Sequence, residues 1–457
     1  MAEPIFSVSG LRGIVGESLS PGIAIRYACA LAAELPPGPI VITRDGRTTG
    51  PMLAAAVTGG LTAVGRNVID AGIAATPTTG VLVRQYQAIG GIQITASHNP
   101  REYNGIKLFS GAGRVIRAPD GQRVLERYRQ GRPAWVGHEA VGRIETCIDS
   151  IGEHLKLVLA IVDVPRIRKL QLKVVLDSNH GAGSLLGRRL LEELGCQVTL
   201  IGGEPDGQYE HVPEPTANNL AGVLKRVPKA GAHVGFCQDP DADRLAVIDE
   251  KGRYLGEEYT LAICVDHVLR GLTQAGEPDA KPLAPVVTNC STSRMTEDLA
   301  NKYGAKFFRS AVGEANVVDK ILANKGMLGG EGNGGVIDLR VGPVRDSFVG
   351  MALILDAMVA RQMKVSGLAA ELPRYAIVKD TIPVPLEKLP DALDALEKHF
   401  SDAKPDRLDG LRLDWPDKWL LVRPSNTEPI VRLFAEARSA IEARPLCEET
   451  DAVLASL

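Results

Sequence analysis

KVVLDSNHGAGSLLGRRLLEELGCQVTLIGG, residues 173–203, decides the fold. An apolar run opens it and ends in a polar, glycine-containing turn. Leucines at helical spacing follow, a glycine stops them, and a second apolar run, QVTLIGG, closes the stretch. Strand, turn, helix, glycine stop and strand make a βαβ unit. A right-handed crossover makes the two strands parallel, with helices covering the sheet.

The same form occurs twice more. Upstream it runs PIVITRDGRTTG (39–50), PMLAAAVTGGLTAVG (51–65) and NVIDAG (67–72); downstream it runs PVVTNCSTSR (285–294), MTEDLANKYG (295–304) and AKFFRSAVG (305–313). Each copy reaches a further strand that enters an unusual loop: GGIQITASHNP (90–100), AHVGFCQDPDADRLAVID (232–249) and GMLGGEGNGGVID (326–338). Loops at strand ends are where open α/β sheets bind ligands. From about Arg374 the pattern changes, through YAIVKDTIPVP to RPSNTEPIVRLFAEA. The expectation is three similar α/β domains with mixed, largely parallel sheets, at 1–148, 149–253 and 254–369. A smaller C-terminal α+β domain, 370–457, would complete the set around a central cleft.

Composition narrows the classes. The chain has 457 residues, too many for one hydrophobic core. With 45% hydrophobic and 23% charged residues it is neither disordered nor fibrous. A net charge of −3 offers no basic field to nucleic acid or an anionic membrane, so phosphate must be held by local arginines and lysines. The 7 cysteines are scattered without a Cys-x-x-Cys pair, and read as reduced thiols. MAEPIFSVSG lacks a signal-peptide pattern and no apolar run approaches 18 residues, so a soluble, cytoplasmic protein is expected.

DPDADR places Asp239, Asp241 and Asp243 at every second position. An extended loop can turn all three toward one point, where they repel unless a divalent cation joins them. A solvated acidic turn is the plain alternative. An EF-hand would need glycine where Arg244 stands, and LAVI beyond it reads as strand. GEGNGG matches G-x-G-x-x-G in letters, but strand-like VIDLRV follows where a dinucleotide fingerprint needs a helix. Its glycines let backbone approach a ligand, leaving Glu331 and Asn333 for sugar hydroxyls; a flexible glycine turn is the plain alternative. RPSNTEP offers Arg423, Ser425, Asn426 and Thr427, with Arg432 on the next strand, as a phosphate cradle; a capped turn explains the same cluster. Arg12 in SGLRGIVG, and Arg44 and Arg47 in TRDGR, give weak signals alone, with ordinary surface charge the plain alternative. Ser97, before His98 and upstream of Lys107, either ends a strand or presents an oxygen nucleophile; no G-x-S-x-G surrounds it.

Taken in order, TASHNP, DPDADR, GGEGNGG and RPSNTEP resemble the α-D-phosphohexomutase family over essentially the whole chain. The resemblance implies interconversion of hexose 6-phosphate and hexose 1-phosphate. Ser97 would be the phosphorylated serine, and Asp239, Asp241 and Asp243 would hold Mg²⁺ with its phosphoryl oxygen. Glu331 would bind sugar hydroxyls, and Arg423, Ser425, Asn426 and Thr427 the phosphate not being transferred. Arg12, His98, Lys107 and Arg244 match positions near the phosphoserine, with Lys107 or His98 moving the proton. A hexose 1,6-bisphosphate would be intermediate and activator, and hexose phosphates the partners. Some positions depart from the pattern. FSVSGLRG opens the chain where many members have Thr or Gly before the Ser-Gly pair. Asn333 and Gly335 stand where bacterial members often carry Ser and His, and RSAVGE lacks a histidine that some members have. GGEGNGG is similar to archaeal-type phosphoglucosamine mutases, which favours glucosamine phosphate over mannose and glucose phosphates. A sugar-phosphate phosphatase and a non-catalytic sensor are the competing functions.

Overall fold

The computed structural model describes residues 3–7, 10–274, 283–383, 386–424 and 430–455. Two compact units divide the chain: Met1–Val268 with Asn333–Ala370, and Leu269–Gly332 with Glu371–Leu457.

In the first unit the upstream repeat folds as strand Ile40–Arg44, helix Gly50–Ala63 and strand Val68–Ile73, the strands parallel. Strand Gly90–Ile94 pairs in parallel on the other side of Ile40–Arg44. Ile40 and Ile42 face one way, onto Leu53, Val57 and Leu61 of the helix, and Val41 faces the other, onto Leu82, Val83 and Phe109. Burial on both faces is why these strands read as unbroken apolar runs. Each such Ile or Leu contributes about 1.5–3 kcal/mol. Strands Tyr103–Ser110 and Gly10–Ile14 then add antiparallel, and the short edge strands Ile5–Ser7 and Ile144–Thr146 complete a seven-stranded mixed sheet. That addition brings Lys107 and Arg12 beside the end of Gly90–Ile94.

The repeat at 173–203 folds as expected, with parallel strands Lys173–Asp177 and Gln197–Ile201 around helix Gly183–Glu193. Strand Val234–Gln238 is parallel to Lys173–Asp177, and Leu245–Asp249 returns antiparallel beside it. Every residue of these last two strands is buried. DPDADR is therefore a tight link between two interior strands, which forces its carboxylates inward. Strand Gly335–Asp338 and helix Ser347–Arg361 belong to the same unit, the helix capped by Asp346 through the Phe348 and Val349 N–H groups.

In the second unit, strands Phe307–Ser310, Val286–Asn289 and Leu328–Glu331 run parallel. A five-stranded antiparallel sheet follows, in the order Ala376–Pro383, Ile430–Ala437, Trp419–Pro424, Leu411–Asp414 and Lys404–Asp406. Helices Leu389–His399 and Ala440–Ala455 cover its apolar face with Leu393, Leu396, Leu446 and Cys447. All seven cysteines are free. Among the described residues no helix is long and apolar enough to cross a membrane.

Candidate active site

The strand Gly90–Ile94 runs out through Thr95 and Ala96 to Ser97, which adopts a left-handed φ of 50°. That conformation costs a non-glycine residue about 1 kcal/mol or more. It turns the chain sharply at the strand end. Ser97 is buried, and its hydroxyl donates to Asp239 Oδ2 at 3.0 Å. His98 Nδ1 lies 3.3 Å from the same Oγ. The hydroxyl of the first repeat thus meets the acidic loop of the second.

Asp239, Asp241 and Asp243 are each 0% exposed, and one oxygen from each lies within 4.8 Å of the others. Between them Ala242 takes a left-handed φ of 55°, and its carbonyl accepts from Ser347 Oγ at 2.7 Å. Asp239 Oδ1 accepts from the Arg244 N–H at 3.1 Å. Asp241 Oδ2 accepts from Thr76 Oγ1 at 2.6 Å and Lys107 Nζ at 2.8 Å. Asp243 Oδ2 accepts from Lys107 Nζ at 3.0 Å and Arg345 at 2.6 Å. Asp241 Oδ1 and Asp243 Oδ1 are buried without a hydrogen-bond partner. Orphaned carboxylate oxygens in the interior cost several kcal/mol unless positive charge meets them. The donor set is oxygen throughout, which suits a hard ion such as Mg²⁺ rather than zinc. The residues fit the cation.

Charge within the site is unevenly shared. Burial, with the neighbouring charges of Asp241 and Asp243, pushes Asp239 well above the usual carboxylate range. Burial works in the same direction on Asp241, but Lys107 and the surrounding hydrogen bonds outweigh it and hold that group low. Asp243 is likewise held low, with the Arg345 charge overcoming burial. Arg244, then burial, then Arg12 pull His98 down to about 2, so its ring is neutral at physiological pH. Arg12 reaches the serine loop directly, Nη1 donating to Asn99 Oδ1 at 2.8 Å.

The first unit therefore brings together Ser97, His98, Lys107, Arg12, Arg244 and the three aspartates. Asn333 also lies in it, capping its own turn by accepting from the Gly335 N–H at 3.2 Å. Gly334 has a φ of 83°, and a Cβ there would stand 2.3 Å from the Leu245 carbonyl oxygen. That glycine permits close packing against the strand beyond the acidic loop.

In the second unit Glu331 is buried, with Oε1 accepting from Asn289 Nδ2 at 2.7 Å and from the Gly313 N–H at 3.0 Å. Arg423 is 3.2 Å from Asp409 and stands directly opposite Arg432 in the antiparallel register. Like charges so placed destabilise a sheet, and a phosphate dianion would offset that cost. Ser425, Asn426 and Thr427 lie outside the described residues.

Sequence reasoning missed several supports. Thr76 and Arg345 meet Asp241 and Asp243, and nothing in their local sequence marks them as partners. Asn289 ends the third repeat's first strand, in the position where Asp177 ends the second's, and that correspondence was a usable signal. Arg47, a weak signal in the sequence, is 2% exposed.

Fold and site together define a multidomain α/β protein with an oxygen-lined cation pocket at the ends of its strands. Four family models match in order, described as phosphoglucomutase/phosphomannomutase alpha/beta/alpha domains I, II and III and C-terminal domain, at residues 3–134, 152–252, 257–375 and 382–453. The chain is 37% identical to a phosphoglucomutase/phosphomannomutase of Thermococcus kodakarensis, with 97% of each chain covered. It is 34% identical to a probable phosphoglucosamine mutase of Thermococcus gammatolerans, covering 98% of this chain and 97% of that one. A solved phosphoglucomutase/phosphomannomutase family protein from Burkholderia thailandensis superposes with a TM-score of 0.85 at 26% identity, covering 99% and 98% of the two chains. The chain belongs to the phosphoglucomutase/phosphomannomutase family, and is a phosphohexomutase.

Proposed function

We propose that this phosphohexomutase carries its phosphoryl group on Ser97 and interconverts glucosamine 6-phosphate and glucosamine 1-phosphate. The observation that carries the reading is the 3.0 Å contact of Ser97 Oγ with Asp239, beside two orphaned carboxylate oxygens. Phosphoserine donates to the free hydroxyl of a hexose monophosphate, giving a hexose 1,6-bisphosphate. The sugar turns, and its other phosphate returns to Ser97. In each half one O–P bond forms as another breaks, and the accepting hydroxyl yields its proton to the neutral His98 ring, or to Lys107 once that side chain has given up a proton of its own. When bound at Asp239, Asp241 and Asp243, Mg²⁺ would offset charge on the transferring phosphoryl oxygens.

Phosphoserine brings about −1.5 to −2 charges to three carboxylates. Lys107 and Arg345 answer the carboxylates most closely, while Arg12, and Arg244 at 3.9 Å from Asp243 Oδ1, are the arginines that would meet the phosphoryl group. Glu331, fixed by Asn289 and the Gly313 N–H, accepts from sugar hydroxyls, and Asn333 is the second residue of its motif assigned to them. Arg423 and Arg432, with Ser425, Asn426 and Thr427, grip the phosphate that is not transferred.

Relatives named probable phosphoglucosamine mutase at 32–34% identity favour the amino sugar. The relative at 37% keeps mannose and glucose phosphates as the second reading. Ser97→Ala should abolish turnover while leaving the fold intact, and intact mass should find one phosphate on wild-type Ser97. A Ser97→Ala enzyme that still turns over refutes the assignment. Comparing glucosamine, mannose and glucose phosphates settles the sugar, and stoichiometric phosphate release would make the protein a phosphatase instead.

A further inference from the structure

We propose that Arg47 is a positioning residue for phosphoryl transfer, bracing the main chain from Ser97 to Tyr103 so that Ser97 Oγ faces the acidic triplet. This rests on Ser97 being the phosphoryl carrier.

A guanidinium has five N–H donors, and here all are used. Nε donates to Asp45 Oδ2 at 3.1 Å. Nη1 donates to the Pro100 and Tyr103 carbonyls at 2.6 and 2.9 Å, and Nη2 to the Ser97 and Asn99 carbonyls, both at 2.7 Å. Four of the five therefore end on carbonyls between Ser97, past the end of one strand, and Tyr103, the first residue of the next. The Ser97 carbonyl is buried and needs such a partner, and the arginine supplies it. None of its donors remains for the triplet's carboxylates, so any influence on chemistry passes through Ser97.

The other end of the serine is tied to the same root. Ser97 N–H donates to Thr95 Oγ1 at 2.9 Å, and Thr95 Oγ1 donates to Asp45 Oδ2 at 2.6 Å. The Arg47 N–H donates to Asp45 Oδ1 at 2.9 Å. Ser97 is thus held at its N–H through Thr95 and at its carbonyl through Arg47, and both lines meet at one carboxylate. The left-handed φ of Ser97 makes the brace necessary. An unfavourable backbone conformation persists only when its surroundings over-determine it, and relaxation to an ordinary φ would swing Oγ away from Asp239. The Tyr209 ring covers the guanidinium at 5.4 Å. Gly46, next to Arg47, lets the backbone at His180 and Pro205 close in, since a Cβ there would stand 2.4 Å from the His180 carbonyl oxygen and 2.9 Å from that of Pro205. Lysine cannot substitute: it has three donors on one atom and no planar fork.

The test compares Arg47→Lys and Thr95→Val with wild type. Steady-state kinetics, phosphate uptake from glucose 1,6-bisphosphate by intact mass, and amide hydrogen exchange are measured on folded protein. Arg47→Lys should lower kcat about 10- to 100-fold with KM within about threefold, because the loop shifts while the sugar grip does not. Phosphate uptake should slow in proportion. Exchange should rise in the loop between Ser97 and Glu102 while strands Gly90–Ile94 and Tyr103–Ser110 stay protected. Thr95→Val, which leaves the buried ion pair whole, should show a smaller effect of the same kind. A kcat within about twofold of wild type, or a general loss of stability with unchanged turnover per folded molecule, overturns the proposal. Wild-type turnover without phosphate on Ser97 would instead defeat the carrier reading, and the loop's exchange alone would then decide whether Arg47 braces it.

Discussion

Lys107→Met keeps the side chain's length and removes its charge, which makes it the sharpest probe of the acidic triplet. Nζ lies 2.8 Å from Asp241 Oδ2 and 3.0 Å from Asp243 Oδ2, and its side chain is only 11% exposed. Removing one partner of a buried ion pair costs about 3–5 kcal/mol, because the remaining charge is stranded. For a domain of ordinary size that is roughly 6–20 °C in Tm. The loss should be largest in EDTA. A bound ion at 100 to 1,000 times its Kd contributes about 2.7–4.1 kcal/mol. With Lys107 gone, Asp241 and Asp243 have more charge to offer, so Mg²⁺ should raise the variant's Tm by more than it raises wild type's. Calorimetry across a Mg²⁺ titration reads both quantities. A variant melting within about 2 °C of wild type in EDTA, or gaining less from Mg²⁺, would refute the reasoning.

Three further outcomes follow from the same geometry. Gly334→Ala forces a side chain into φ 83° and against the Leu245 carbonyl, so Tm should fall equally with and without hexose phosphate; an unchanged Tm with a raised KM would return the glycine to a ligand role. Arg412 is buried, donates to both oxygens of Asp414 and to the Cys290 carbonyl, and lies 4.0 Å over the Trp419 ring. Arg412→Lys keeps the charge but loses the paired N–H contacts, and should cost about 1.5–3 kcal/mol, read as a lowered urea midpoint by tryptophan fluorescence; an unmoved midpoint would contradict it. Burial alone would lower the pKa of His211, but the hydrogen bond and charge of Asp177, 2.7 Å away, raise it above 6.5. A raised histidine stabilises fully below its unfolded value and loses that contribution as pH climbs through the folded one. The Tm gap between wild type and His211→Gln should therefore be widest below pH 6.5 and narrow above it; a gap that widens with pH has the wrong sign.

Local pattern carried the architecture. Apolar runs, helical leucine spacing and glycine stops mark the strands and helices of all three repeats, because period and turn chemistry are written within a dozen residues. The acidic triplet was legible for the same reason: its carboxylates are neighbours in the chain, and their mutual repulsion needs no distant information. What only the tertiary structure decided is which distant groups answer that charge. Ser97 reaches Asp239 across 142 positions, and Lys107 reaches Asp241 across 134. Arg47 gives only a weak signal until four carbonyls from Ser97 to Tyr103 surround it, and nothing near Gly334 announces that Leu245 packs on it. Burial and charge pairing belong to the folded chain. A residue type announces what a side chain can do, whereas its partners exist only after remote strands have been brought side by side.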